Sequence, residues 1–294
     1  VSLAEGAFSA RCTFCDAALV EAPPPAHTPD RVVPFDLTRT QAADRLRAHL
    51  AGRWFAPEVL RRAASPEALR AALVPHHVHD AVARTTFSAS VGIYWYRTET
   101  YSVTVNGKRQ TRTRRVRETE WYPLSGSHVR RWQDHLVSAS QGLPEAEANA
   151  LEPFDLGRAL PYAPALVAGV AAELPTVDVA AARPVAEAEL RRLERDVIAS
   201  GHLPGDTHRH LESDTAVEIS AVTLALLPVW IAVYRGPSGP VRLLVNGQTG
   251  EVAGAVPTSM VKVGVAVGIG LAALLAVAGC LGGASLIAAA VGGH

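Results

Sequence analysis

Hydrophobic and polar positions alternate along this chain with two different periods. From Thr38 to Leu50 the apolar residues recur at helical spacing, with Leu46 and Leu50 four apart. Thr38 followed by Gln41 is a capping box, in which two of the amide donors left bare at a helix start are satisfied. Gly52 ends that helix. Trp54, Phe55 and Pro57 then turn the chain into a second helix, expected from Glu58 to about Leu73. Strand patterning follows. Residues 73–90 are rich in β-branched side chains, and the runs Ile93 to Val105 and Lys108 to Tyr122 flank Asn106-Gly107. Asn-Gly between two alternating runs predicts a tight hairpin, because a type I′ turn needs positive φ at both central positions. On the second run Thr111, Thr113, Arg115, Arg117 and Thr119 fall on one side. Arg112, Arg114, Val116, Glu118 and Glu120 fall on the other. Both sides are polar, so this ribbon is expected to project into solvent.

Residues 123–183 carry prolines at 123, 144, 153, 161, 164 and 175 and read as irregular or weakly helical. Val185 to Ser200 is amphipathic, with Leu190, Leu193 and Val197 on one side. Val217 to Tyr234 is a β-type run interrupted at Pro228. Val241 to Val245 and Glu251 to Val256 form a further hairpin around Asn246-Gly247-Gln248-Thr249-Gly250. One echo runs through the chain. Leu73-Val74-Pro75 ahead of Val105-Asn106-Gly107 is matched by Leu227-Pro228-Val229 ahead of Val245-Asn246-Gly247. Either related halves at 35–122 and 184–256 or coincidence accounts for it.

No charged residue occurs from Val263 to Val291. A helix of that length exceeds a bilayer core of roughly 30 Å, so residues 261–291 are expected to span a membrane. A buried core helix, or a re-entrant pair broken at Gly282-Gly283, are the other readings. Gly264/Gly268 and Gly279/Gly283 have the spacing that lets such helices self-associate. Arg242 and Lys262 precede the segment and no Lys or Arg follows it, which predicts a soluble body on the cytoplasmic side.

Charge and cysteine content narrow the chemistry. Lys+Arg and Asp+Glu both number 28, so net charge favours neither nucleic acid nor acidic substrates. Three cysteines do not make a disulfide framework and fit a reducing compartment. Cys12-Thr13-Phe14-Cys15 is half of a zinc ribbon. Structural zinc takes four ligands, so Cys12 and Cys15 would hold zinc only with a second cysteine pair upstream of Val1. The first residue is not Met, and such an upstream piece is expected. A metal-free remnant and a redox pair are the alternatives. The expected organisation is a zinc-ribbon knuckle at 1–20, a Pro-rich linker at 21–34, a body at 35–260 and the membrane segment at 261–291. The fold class is α+β, with antiparallel hairpins packed against a few helices, an N-terminal half ribbon and a C-terminal transmembrane helix.

Other groups could carry chemistry. His76, His77 and His79 could meet His208 and His210 as a metal-dependent active site, or lie at the surface or partly packed. Arg112, Arg114, Arg115 and Arg117 form a possible interaction surface for phosphates or anionic headgroups, balanced by Glu99, Glu118 and Glu120. Asp134-His135 beside Ser138 and Ser140 lacks the Gly-x-Ser-x-Gly elbow of a hydrolase.

Several stretches together resemble a bacterial family of membrane-associated zinc-ribbon proteins, often labelled primosomal-helicase-like or replication-factor-Y-like zinc-finger proteins. They are Arg11 to Cys15, Gly52 to Pro57, Glu118 to Gly126, Leu227 to Trp230 and Leu244 to Glu251. The resemblance implies a complete ribbon ahead of an α+β body, apolar segments after it, and the bacterial inner membrane as the location. This chain departs from it in lacking the upstream cysteine pair and in carrying His76, His77 and His79 where the family has aromatics. It also has no Gly-x-x-x-x-Gly-Lys-Ser/Thr loop to hold a triphosphate, which argues against helicase activity. The combined expectation is a non-enzymatic, membrane-anchored adaptor or scaffold that contacts lipid and a protein partner. The alternatives are a nucleic-acid-associated ribbon protein and the metal-dependent enzyme.

Overall fold

The computed structural model describes residues 6–11, 17–58, 60, 64–106, 108–236, 239–258, 262 and 264–271. Its strands are β1 (Ala7–Arg11), β2 (Ala18–Val20), β3 (Arg31–Val32), β4 (Leu69–Val105), β5 (Lys108–Ser138), β6 (Leu160–Pro161), β7 (Ala171–Glu173), β8 (Thr207–Gly236), β9 (Gly239–Asn246) and β10 (Val252–Ala253). Its helices are α1 (Arg39–Ala51), α2 (Glu145–Asn149), α3 (Pro164–Val167) and α4 (Val179–Gly201). All ten strands join one mixed sheet, with the path β10-β9-β8-β4-β7-β1-β2, β5 alongside β4, and β3 between β8 and β6.

Two long strands organise it. β4 and β8 pair antiparallel from Leu69↔Ala232 to Gly92↔Thr207. Leu73 lies opposite Pro228 and Val74 opposite Leu227, so the two echoing segments are antiparallel neighbours. One layer of core lies under α1, whose Ala42, Ala43, Leu46 and Leu50 pack with Leu69, Trp230, Leu243 and Val245. The capping box forms as expected: the Thr38 hydroxyl accepts from Gln41 N–H, and the Gln41 side chain accepts from Thr38 N–H. Further along the sheet, α4 lays Ala182, Ala186, Leu190, Glu194 and Ile198 onto β4, β5 and β8. The buried stripe is turned by one residue from the expected one, so Glu194 is fully buried where Leu193 was expected.

The expected fold class is corrected on several points. The hairpins do not form separate packed units; they belong to one ten-stranded mixed sheet. The presumed zinc ribbon is not a separate element. Its flanks are β1 and β2, which pair with each other and enter the same sheet through β7. Cys12 and Cys15 lie outside the described residues, and among the described residues no group of three or more His, Cys, Asp or Glu could hold a metal. Most of the segment 261–291 also lies outside them. Among the described residues no helix is long and apolar enough to cross a membrane. Lys262, expected to flank a span, donates to the carbonyls of Trp54 and Ala56.

Local expectations shift as well. The helix expected to reach Leu73 gives way to a turn at Pro66–Ala68 and a strand from Leu69. β5 does not stop at Tyr122 but continues through Pro123 to Ser138. It pairs only with β4, so its outer side is an edge where a proline's missing N–H leaves no ladder bond unmade. Trp230 fills the core, packed edge-on against Phe35. Trp54 is exposed and Trp121 half-buried.

Candidate functional site

Beyond Gly92 the strands β4 and β5 pair, among the described residues, only with each other, from Ile93↔Glu120 to Val105↔Lys108. At about 3.3 Å per residue this two-stranded arm reaches roughly 40 Å past the body. Asn106 at its tip has φ 51°, the left-handed conformation that the Asn-Gly turn was expected to need.

The register gives the arm two unlike faces. On one, Ile93, Trp95, Arg97, Glu99 and Tyr101 stand beside Glu120, Glu118, Val116, Arg114 and Arg112. Its charges neutralise each other: Arg97 reaches Glu99 at 2.7 Å and Glu118 at 3.0 Å, and Arg114 reaches Glu99 at 2.9 Å. On the other face Tyr94, Tyr96, Thr98, Thr100, Ser102 and Thr104 stand beside Thr119, Arg117, Arg115, Thr113, Thr111 and Arg109. This face has no carboxylate. Arg117 lies 4.3 Å over the Tyr94 ring and Arg115 4.8 Å over the Tyr96 ring. Those contacts hold the guanidinium groups in place by cation–π attraction while their N–H donors stay in solvent.

The four arginines singled out from sequence therefore divide. Arg115 and Arg117 belong to the carboxylate-free face, and Arg112 and Arg114 to the self-paired one. Arg109, Tyr94 and Tyr96, which complete the basic face, were not among them. Strict alternation could have found Arg109, but the tyrosines needed the cross-strand register.

The arm is anchored at its root. Asp206, in the loop from α4 to β8, accepts from Tyr94 N–H at 2.7 Å and donates its own N–H to Gly92 O at 2.9 Å. Gly205 has φ +102°, and a Cβ on it would stand 2.9 Å from Gly92 O, so only glycine lets the loop come this close. Arg209 covers Trp121 at 4.0 Å.

The histidines lie elsewhere. His208 pairs with Val91 and His76 with Ala225, so the two expected groups are about 40 Å apart along the sheet and do not form one site. His76, His77 and His79 are buried, not superficial. His77 and His79, two apart on β4, share a face, with ring centroids 6.3 Å apart. Burial pulls His76 and His79 down to about 4, so both rings are neutral at pH 7. His135 faces Glu189 at 3.2 Å. Burial favours the neutral form of Glu189, but hydrogen bonds from His135 and Asn149 outweigh it and hold the carboxyl below its ordinary value. Ser138 donates to backbone carbonyls of Ser140 and Leu143, and Ser140 to Glu173. Neither serine is hydrogen-bonded to His135. Glu194 accepts from His128 and from Trp132 Nε1, pinning α4 to β5.

The motif Asn246-Gly247-Gln248-Thr249-Gly250 is structural. Buried Asn246 accepts from Gln248 and Thr249 N–H and donates to Leu151 and Pro153 carbonyls. Gln248 exchanges a pair of hydrogen bonds with the backbone of Asp155.

No protein-family model, curated protein or solved structure matches this chain.

Proposed function

We propose that this protein is a non-enzymatic binding module that holds a nucleic acid along the carboxylate-free face of its arm. The observation that carries this reading is the asymmetry of that arm: one face neutralises its own charges, while the other exposes Arg109, Arg115 and Arg117 among hydroxyls and two tyrosines. Guanidinium groups bind phosphates, serine and threonine hydroxyls donate to them, and aromatic rings stack on bases. A two-stranded ribbon also has the width that a major groove admits. The reading carries with it a cytoplasmic location, in agreement with the low cysteine content.

Fluorescence anisotropy with a labelled oligonucleotide, single-stranded and duplex, tests it. Binding is expected to weaken with salt at a log–log slope of about −2 to −3, as for roughly three phosphate contacts. Arg115→Glu with Arg117→Glu should lower the affinity about a hundredfold, and Arg112→Glu with Arg114→Glu should cost much less. Equal losses from the two pairs, or no binding at low salt, would overturn the proposal.

A second reading rests on a separate observation. Among the described residues neither edge of the arm has a partner strand, so a protein could add a strand there and use the molecule as an adaptor. That reading predicts a loss of partner binding when proline replaces Thr100 or Thr113, with no dependence on Arg115 and Arg117.

A further inference from the structure

The row of rings on the basic face of the arm does not end at Tyr94. The next position on that face of β4 is Gly92, which has no side chain, and its partner on β5 is Trp121. A Cβ at Gly92 would stand 3.0 Å from the Trp121 ring and 2.7 Å from the methyl groups of Thr119 and Thr207. The edge of the indole therefore takes the place of a side chain at 92. Trp121, Tyr94 and Tyr96 follow one another along β4 at two-residue steps.

Each ring carries a guanidinium that reaches it diagonally from a neighbouring strand. Arg117 comes to Tyr94 from the level of Tyr96, and Arg115 comes to Tyr96 from the level of Thr98. Arg209, on β8 at the level of Ser90, comes to Trp121 with Cζ 4.0 Å from the ring centroid. All three arginines are exposed. A guanidinium lying on a ring presents a flat cationic surface on which a base can stack while a phosphate meets the N–H donors.

The row is bounded on the body side. Asp206 at the root is engaged by the Tyr94 N–H. Past Arg209 the same face turns acidic, with exposed Glu212 opposite Ser88 and exposed Asp214 opposite Thr86. Arg84, next along, is paired with Glu218 at 3.1 Å. A polyanion is attracted as far as Arg209 and repelled beyond it.

The spacing decides which form of nucleic acid fits. Two residues of a β-strand rise about 6.6 Å. That is roughly twice the 3.4 Å between nucleotides along one strand of a duplex. Bases stacked inside a duplex offer only their edges and cannot each lie on rings set at this step. Bases of an unpaired strand, drawn out and separated, can.

We propose, resting on the nucleic-acid reading of the arm, that it binds an unpaired strand. Three successive bases lie on the platforms Trp121–Arg209, Tyr94–Arg117 and Tyr96–Arg115, and the strand leaves toward the tip. Trp121 and Arg209 form the subsite at the root.

Fluorescence anisotropy of the full chain with a labelled oligothymidylate, against the same strand paired with oligoadenylate, tests this. The unpaired strand is expected to bind at least tenfold tighter at the same salt. Trp121→Ala should weaken that binding about tenfold and Arg209→Gln severalfold. Trp95→Ala, on the self-neutralised face, should leave it unchanged. A urea unfolding curve for each variant shows that it folds, and the exposed position of Arg209 keeps its variant informative if Trp121→Ala does not. Duplex binding as tight as that of the unpaired strand, or losses from Trp121→Ala and Arg209→Gln no larger than from Trp95→Ala, would overturn this assignment and leave the nucleic-acid reading standing. No binding of either form at low salt would overturn both.

Discussion

The same two strands lead different lives on either side of Gly92. Toward the body, β4 is flanked by β5 and β8, and its Ala81, Ala83, Thr85, Ala89 and Val91 are buried. The side chains there are small because a helix lies on them: Ile198 of α4 packs on Ala89 and Leu211. Beyond Gly92 no strand or helix among the described residues covers either face, and the side chains become tyrosine, tryptophan, arginine and threonine. The first stretch is held by burial. The second keeps its shape by its ladder, its Asn-Gly turn and its cross-strand pairs, each worth a fraction of a kcal/mol. A stretch that contributes little to stability and yet carries rings and guanidinium groups in ordered rows is one whose side chains are available to a ligand.

The comparison can be broken from the body side first. His76 and His79 titrate near 6.5 when unfolded and at about 4 when folded, because burial disfavours the charged ring. Their folded pKa values are lowered, so the unfolded chain binds more protons between those limits. Stability is therefore fully present above about pH 6.5 and falls as the pH drops toward 4, by up to roughly 3 kcal/mol per histidine. Urea unfolding at pH 7 and pH 4.5 should show that loss, and His79→Phe should flatten the curve. The arm, measured by the fluorescence of Trp95, should show no separate transition over the same range.

Next in size is Asn246→Ala. It strands the carbonyls of Leu151 and Pro153 and the amides of Gln248 and Thr249. A loss of about 2–4 kcal/mol is expected in chemical unfolding, with oligonucleotide affinity of the folded fraction unchanged.

On the arm side, Arg115→Glu with Arg117→Glu should lower oligonucleotide affinity about a hundredfold with little shift in the unfolding midpoint. Tyr96→Ala should cost about tenfold in affinity, through a lost stacking surface and a released Arg115. Smallest of all is Arg114→Ala. Its pair with Glu99 is exposed, and pairs of that kind contribute about 0–1 kcal/mol, so both melting and binding should be nearly unmoved.

Much of the arm was legible in the sequence because its determinants are local. Asn106-Gly107 fixes the turn, the turn fixes the register, and the register sorts residues 111–120 onto two faces. The capping box of Thr38 and Gln41 is local in the same way. The extent of β5 was hidden because Pro123 reads as a breaker wherever a strand has neighbours on both sides, and its edge position is a property of the whole sheet. Burial of His79 was hidden for a similar reason: β5 and β8, which flank it, and α4, which packs on its strand, come from far along the chain. A cleft beside His77 brings together 26–30, 175–180 and 222–224, segments that no periodicity connects. The Val-Asn-Gly tripeptide shows the limit most directly. In the arm its asparagine, Asn106, is exposed at the tip, and at 245–247 its asparagine is fully buried beside the 151–155 loop, with Phe35 packed against Gly247.

Because β4 passes without interruption from the tip through the sheet to Leu69, a tug on the outermost turn travels lengthwise along a single strand. Its bonds to β8 would then be sheared in concert, where bonds in a peeled hairpin open one after another. Whatever the tip holds is tied mechanically to the middle of the sheet, and pulling on it would load the whole body before the grip came apart.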